Sequence, residues 1–277
     1  MRIRWLITIA VLIIALAACS RERASVRPLI VQGAMQIEIE KLAASLEQAV
    51  IDRVGDWTFW RGTVNGYPVI VSKTLKGMSN AAAATTIAVQ KYQPVAIINQ
   101  GTAGGHDPDL HLYDIVIGSR SVNLGAFKSP SKGAGAGSHP LEWKPLNLTA
   151  TDGSAATDRH TGLASFDGDP LLMGTARGLK SAYTKGRVVE GVIGSSDMWN
   201  DEVDRIVALR QAYGTAVEEM ETASAAQVAR QMGVTFLGVR IVSDNATNGT
   251  PWDPKTSEAC EDFVYEVVKA HVATLKR

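Results

Sequence analysis

Strand-like and helix-like segments alternate along almost the whole chain, and this alternation limits the fold more than any other feature. A short apolar run, Leu29-Ile30-Val31, stops at Gly33 and gives way to the helical spacing of Ile37, Leu42 and Leu46. Later come a helix towards Tyr92 that Ser79 is placed to cap, the wholly apolar strand Val95–Ile98 ending at Gly101, and a strand from Asp114 to Gly118. The C-terminal half repeats the theme. Helices are expected over 170–183, 202–213, 222–232 and 256–275, with strands at 188–193, 215–217 and 236–242 between them. Such alternation predicts a single α/β domain, three layers deep (α/β/α), with a mixed, largely parallel central sheet. One antiparallel element is expected. Trp57–Val64 and Tyr67–Thr74 flank Asn65-Gly66, a dipeptide that tolerates positive φ at both turn positions, so they form a hairpin.

Two regions fall outside the pattern. Arg2 and Arg4 precede an uncharged, mostly apolar run from Trp5 to Ala18, short for a bilayer span and right for an export signal. The run ends in Leu16-Ala17-Ala18-Cys19, which resembles the lipobox of bacterial lipoproteins. That resemblance implies a signal peptide over 1–18, lipidation of Cys19 as the new N-terminus, and a polar spacer to residue 27. Ser20 stands where aspartate favours inner-membrane retention, so the expected location is the cell envelope, on the outer membrane facing the periplasm. The second region runs from about 128 to 158 and is rich in Gly, Ala, Ser and Pro. It reads as a long insertion within the 28–277 domain.

Charge and cysteine content bear on partners. The 277 residues carry 28 basic and 28 acidic side chains; without residues 1–18, which hold two arginines, the balance is 26 to 28, a formal charge of −2. Nothing here attracts nucleic acid, and the membrane is met only through the N-terminal anchor. With Cys19 acylated, Cys260 has no partner within the chain, and its acidic neighbours Glu258, Glu261 and Asp262 give a thiolate no support. The five histidines are dispersed and show no metal-ligand spacing, so no metal or organic cofactor is expected.

In open α/β sheets ligands bind beyond the carboxyl ends of strands. Four segments there carry chemistry: Gly33-Ala34-Met35-Gln36-Ile37-Glu38, Asn99-Gln100-Gly101-Thr102-Ala103-Gly104-Gly105, Glu219-Met220-Glu221 and Ser243-Asp244-Asn245-Ala246. Individually they have ordinary readings. Glu38 suits the first turn of a helix, Glu221 suits a helix start, Asp244 suits a turn, and Trp199 suits aromatic filling. As an ordered set they resemble the purine/uridine nucleoside phosphorylase superfamily, and within it the methylthioadenosine/S-adenosylhomocysteine nucleosidases.

The resemblance implies a nucleoside phosphorylase-like fold, a homodimer and hydrolysis of the N-glycosidic bond of a purine nucleoside through an oxocarbenium-like transition state. Such a reaction needs a proton for the departing base and a water on the opposite face of the sugar. By the resemblance Asp244 is the general acid at purine N7, Glu38 activates the water, and Glu221 holds the ribose hydroxyls. In Gly194-Ser195-Ser196-Asp197-Met198-Trp199-Asn200, Trp199 stands at the purine-stacking position and Asn200 beside it at a base contact; Thr102, Gly104 and Met220 line the site. Arg240 is expected to form an ion pair behind it. The absence of a Gly-Asp-Pro phosphate motif after the first strand favours hydrolysis over phosphorolysis. Two alternatives are a phosphorylase and a non-catalytic nucleoside-binding protein on the same fold; a further one has the 128–158 insertion docking a partner protein.

Overall fold

The computed structural model describes residues 26–149 and 164–276. The signal segment, Cys19 and the later part of the 128–158 insertion lie outside the described residues.

Strand β1 (Leu29–Gly33) leads through a 3₁₀ turn at Gln36–Glu38 into a short helix α1 (Glu40–Ala44). Strands β2 (Glu47–Val54), β3 (Trp57–Val64) and β4 (Tyr67–Lys73) form an antiparallel meander, followed by α2 (Met78–Tyr92), β5 (Ala96–Gly105) and β6 (Ile115–Asn123). The described part of the insertion holds a two-residue pair, β7 (Phe127–Lys128) with β8 (Lys144–Pro145). Strand β9 (Ser165–Asp167), α3 (Pro170–Gly178), β10 (Val188–Ser195), α4 (Val203–Tyr213), β11 (Thr215–Glu219), α5 (Thr222–Gln231), β12 (Thr235–Asp244) and α6 (Thr256–Leu275) complete the chain.

The main sheet runs β11-β10-β6-β12-β5-β1-β4-β3-β2. Its centre, β4-β1-β5-β12, is parallel throughout, and β12–β6 and the β2–β4 meander are antiparallel, so the sheet is mixed as expected. Alternation along β1 divides the core between two faces. Leu29 and Val31 lie against α6, α3 and α1 through Val264, Leu172 and Leu42, whereas Ile30 lies against α2 and α5 through Ala88 and Ala225. This is the three-layer arrangement. At the far end the sheet folds back on itself: β11 pairs with β10 and also, antiparallel, with the end of β5, Val217 opposite Gly105 and Glu218 opposite Gly104. Strands β5, β12, β6, β10 and β11 thus form a closed ring.

The Asn65-Gly66 turn has the expected positive φ at both residues, 50° and 70°. Two expectations need correction, and one strand carries no mark in the sequence. Ser79 lies inside α2 and does not cap it. The helix begins after Gly77, and its first N–H groups are taken by distant carboxylates: Gly77 N–H donates to Glu221 Oε1 (2.9 Å) and Met78 N–H to Asp197 Oδ1 (2.7 Å). A strand, β2, occupies Glu47–Val54, where no alternation marks it because its side chains are mostly exposed. The helix after Asp169 closes at Gly178, short of Tyr183; Asp169 caps its start through Leu171 and Leu172 N–H.

Candidate active site

A cavity of about 460 Å³ opens where β5, β10, β11 and β12 end beside the β1 turn. Its walls include all eight residues expected there: Glu38, Thr102, Gly104, Trp199, Asn200, Met220, Glu221 and Asp244. They come from five separate stretches of the chain, and the sheet brings them together.

Glu38 is buried at the 3₁₀ turn and held on both oxygens. Oε2 accepts from the N–H groups of Ala34 and Met35 (3.0 Å each), and Oε1 from the Thr102 N–H and hydroxyl (2.9 Å each). Gln100 Nε2 donates to the Glu38 carbonyl, fixing the main chain as well. Thr102 thus meets the cavity chiefly as a support for Glu38. A Cβ at Gly101 would lie 2.7 Å from Glu38 Oε1, so only glycine lets β5 pass this close to the carboxylate.

Below the cavity floor lies a buried ion pair. Arg240 on β12 donates through Nε (3.0 Å) and Nη2 to Glu219 Oε2, and its remaining hydrogen bonds go to Asn99 and to the Val239 carbonyl. Glu219 also accepts from Ser195 Oγ and from the N–H groups of Glu221 and Thr222, so this carboxylate caps α5 at the positive end of the helix. Arg240 is therefore the ion-pairing residue behind the site.

Glu221 sits directly above, at the helix start. One oxygen takes the Gly77 N–H, and the other is 3.9 Å from Arg240 Nη2. Burial, and then the negative charge of Glu219, push its carboxyl up to about 8, with Arg240 opposing. Folding therefore makes Glu221 bind its proton more tightly than in the unfolded chain. Stability should fall as pH rises from about 4.5 to about 8. Thermal melts of the Glu221→Gln variant, which cannot titrate, are expected to show a flatter Tm across that window than the parent protein.

Asp244 ends β12, where a bulge between Val242 and Asp244 sets it opposite Gly104. Burial raises its carboxyl above the ordinary aspartate value; the Ser243 hydroxyl at 2.8 Å from Oδ1 opposes that rise and the charge of Asp201 adds to it. Trp199 is 64% exposed at the rim and meets Trp252 edge-on, ring centroids 6.2 Å apart. Asp197, by capping α2, ties down the loop that carries Trp199.

The cavity also holds residues that sequence reasoning did not single out: Lys76, Trp252 and a buried pair, His106 and Glu218. A signal for the pair was present. Glu218 lies inside a five-residue strand that is buried throughout, and His106 directly follows the double glycine of β5. Their pairing depends on ring closure between β5 and β11, which spacing does not reveal.

The fold and this cavity define a class. The family model of the phosphorylase superfamily matches residues 28–277, and the chain belongs to that family. Among its relatives, a 5'-methylthioadenosine/S-adenosylhomocysteine nucleosidase of Bacillus thuringiensis is 32% identical over 219 residues, covering 77% of this chain and 84% of that protein. The Shewanella oneidensis nucleosidase of the same name is 31% identical over 222 residues, covering 80% and 85%. Two solved structures share the fold: the Neisseria meningitidis nucleosidase in complex with methylthio-immucillin-A (TM-score 0.71, 23% identity, 88% of this chain and 99% of that one) and the futalosine hydrolase of Helicobacter pylori (0.69, 21%, 88% and 97%).

Proposed function

We propose that this chain is a nucleosidase that hydrolyses the N-glycosidic bond of a purine nucleoside in the cavity described above. The observation that carries the reading is the pairing of two differently prepared carboxyl groups in one cavity. Asp244 is half-buried with a single hydroxyl donor, and desolvation keeps its protonated form to higher pH than an ordinary aspartic acid. Glu38 accepts four hydrogen bonds, the pattern of an ionised carboxylate. One group can donate a proton and the other can receive one, which is the division of labour that glycosidic cleavage requires.

In this reading Asp244 protonates the purine at N7 as the bond to the sugar breaks, and Trp199 stacks on the base. Glu221 takes the ribose hydroxyls and positions the ring. Water attacks from the side of Glu38. The Thr102 hydroxyl is the one donor to Glu38 that can rotate its proton away, freeing a lone pair for the water. Gly101→Ala tests this arrangement, since its Cβ must displace the carboxylate. Turnover should fall roughly 10²-fold while the fold, read by circular dichroism, is kept.

Hydrolysis is favoured over phosphorolysis by the charge on the walls. Among the described residues lining the cavity, Lys76 is the only lysine or arginine, and the nearby Arg240 is already engaged by Glu219, Asn99 and Val239. A phosphate dianion has little to bind. The substrates that fit the relatives' names are methylthioadenosine and S-adenosylhomocysteine. Purified protein incubated with a nucleoside panel, with and without phosphate, should release free base and free sugar at equal rates in both conditions. Strict phosphate dependence would establish the phosphorylase, and tight binding without base release the non-catalytic binder.

The same proposal places the protein in the cell envelope, anchored through lipid on Cys19 after loss of residues 1–18, and makes it a homodimer. The apolar run before Cys19 supports the first, and the family resemblance supports the second. Palmitate labelling lost in Cys19→Ser, and sedimentation of the soluble domain, test them.

A further inference from the structure

Behind the base side of the cavity lies a polar network that the proposed mechanism does not use. Glu218 is buried on β11, and its two oxygens are shared among three donors: Ser196 Oγ on Oε1 (2.6 Å), and His106 Nε2 (2.9 Å) and Asn200 Nδ2 (2.8 Å) on Oε2. His106 is also buried, and its other ring nitrogen, Nδ1, meets Thr215 Oγ1 at 2.8 Å. Burial alone would raise the Glu218 carboxyl, but His106, Asn200 and Ser196 outweigh it and hold the group below the usual range. A cluster of this kind is costly to bury and unnecessary for packing, since an apolar side chain would fill the same strand position.

Its place in the fold indicates a use. Gly104 has two cross-strand partners, Asp244 on β12 and Glu218 on β11. Neighbouring strands run about 4.8 Å apart, so the two acids flank a glycine floor about two strand spacings wide. A purine that lies over Gly104 with one edge at Asp244 turns its far edge towards Glu218 and Asn200. A carboxylate accepts hydrogen bonds and gives none, so Glu218 fixes which way round the Asn200 amide lies: the nitrogen faces the carboxylate and Oδ1 faces away. Oδ1 has only a long bond from the Glu202 N–H, at 3.3 Å.

We infer that His106 and Glu218 are positioning residues that hold Asn200 as a reader of the base, selecting purines whose far edge carries an N–H donor. The inference rests on the nucleosidase reading. The ligand class it names is a purine with an exocyclic amino group or a ring N–H, against purine itself, which offers neither. Asn200 touches the base, and Glu218 acts through it.

The test uses three 5'-methylthio nucleosides carrying adenine, hypoxanthine or unsubstituted purine, and compares kcat/KM in the parent, Glu218→Leu, Asn200→Ala and the double variant. The parent should prefer at least one donor-bearing base over purine, and each single variant should cut that preference roughly 2- to 10-fold, the range for a lost hydrogen bond between uncharged groups. The loss should appear in KM more than in kcat. The double variant should be no worse than the singles, because both remove the same contact. Glu218→Gln, which keeps an oxygen but can also donate, should recover part of the preference. A merely structural network predicts otherwise: equal losses on all three nucleosides, additive effects in the double variant, or unchanged preference in Asn200→Ala, and any of these overturns the inference. If Glu218→Leu fails to fold, Asn200→Ala alone decides. A parent protein that cleaves none of the three would instead overturn the nucleosidase reading.

Discussion

Replacing Asp244 with asparagine should lower kcat on a purine nucleoside by roughly 10²- to 10⁴-fold, the usual contribution of a positioned proton donor, with KM changed little. The side chain keeps its size and its Ser243 partner, so the loss isolates the proton. The pH profile should carry the same signature. In the parent protein activity falls as pH rises through the Asp244 ionisation, which burial displaces upward from the ordinary aspartate value. In the asparagine variant that limb should vanish. Steady-state kinetics across pH on both proteins measure this, and a variant with parental kcat would remove Asp244 from the mechanism.

The second large effect concerns stability. Arg240→Met should cost about 3–5 kcal/mol, because it leaves Glu219 buried and charged without its partner. For a domain of this size that corresponds to a drop in Tm of roughly 6–20 °C. Apolar replacement of one partner differs from replacement of both. Arg240→Met with Glu219→Leu removes the orphaned charge, yet it also strips the cap from the start of α5, where Glu219 takes the Glu221 and Thr222 N–H groups. Part of the loss should therefore persist, and differential scanning calorimetry of Arg240→Met, Glu219→Leu and the double variant separates charge from cap.

How far the fold could be read in advance depended on which physical signal each element carries. The hairpin was plain because Asn65-Gly66 satisfies a backbone requirement that few dipeptides meet. The buried strands β1, β5 and β12 and the helix α6 were plain because burial imposes a pattern on them. Strand β2 left no such trace, since an exposed edge strand has no core face to mark. The segment after Gly101 looked like a loop for a different reason. Thr102, Gly104 and Gly105 continue β5, and their small side chains serve close approach, Gly105 lying where a Cβ would stand 2.5 Å from Asn245 Nδ2. The start of α2 misled because its cap comes from Asp197 and Glu221, more than a hundred positions away.

The candidate site followed the same logic. Glu38, Glu221 and Asp244 could be singled out because each sits in a short motif at a strand end, and the motifs occur in a telling order. His106 and Glu218 only adjoin such motifs, so the sequence marks each position weakly, and their meeting is a product of topology that spacing does not reveal. Lys76 and Trp252 likewise reach the cavity from loops that no local pattern assigns to it.

Closure of the ring also bears on how the molecule acquires its site. The contact between Gly105 and Val217 joins strands about 110 residues apart, whereas β3 and β4 meet across a two-residue turn. Pairings that close long loops carry a larger entropic cost and tend to form late. Glu218 and Gly104 are partners in that distant contact, so the base-facing wall of the cavity depends on a long-range join, as do the pairings of β12 with β5 and β6. Local structure such as the β3–β4 hairpin can therefore form before the pocket does, and the pocket's wall waits on contacts between residues far apart in the chain.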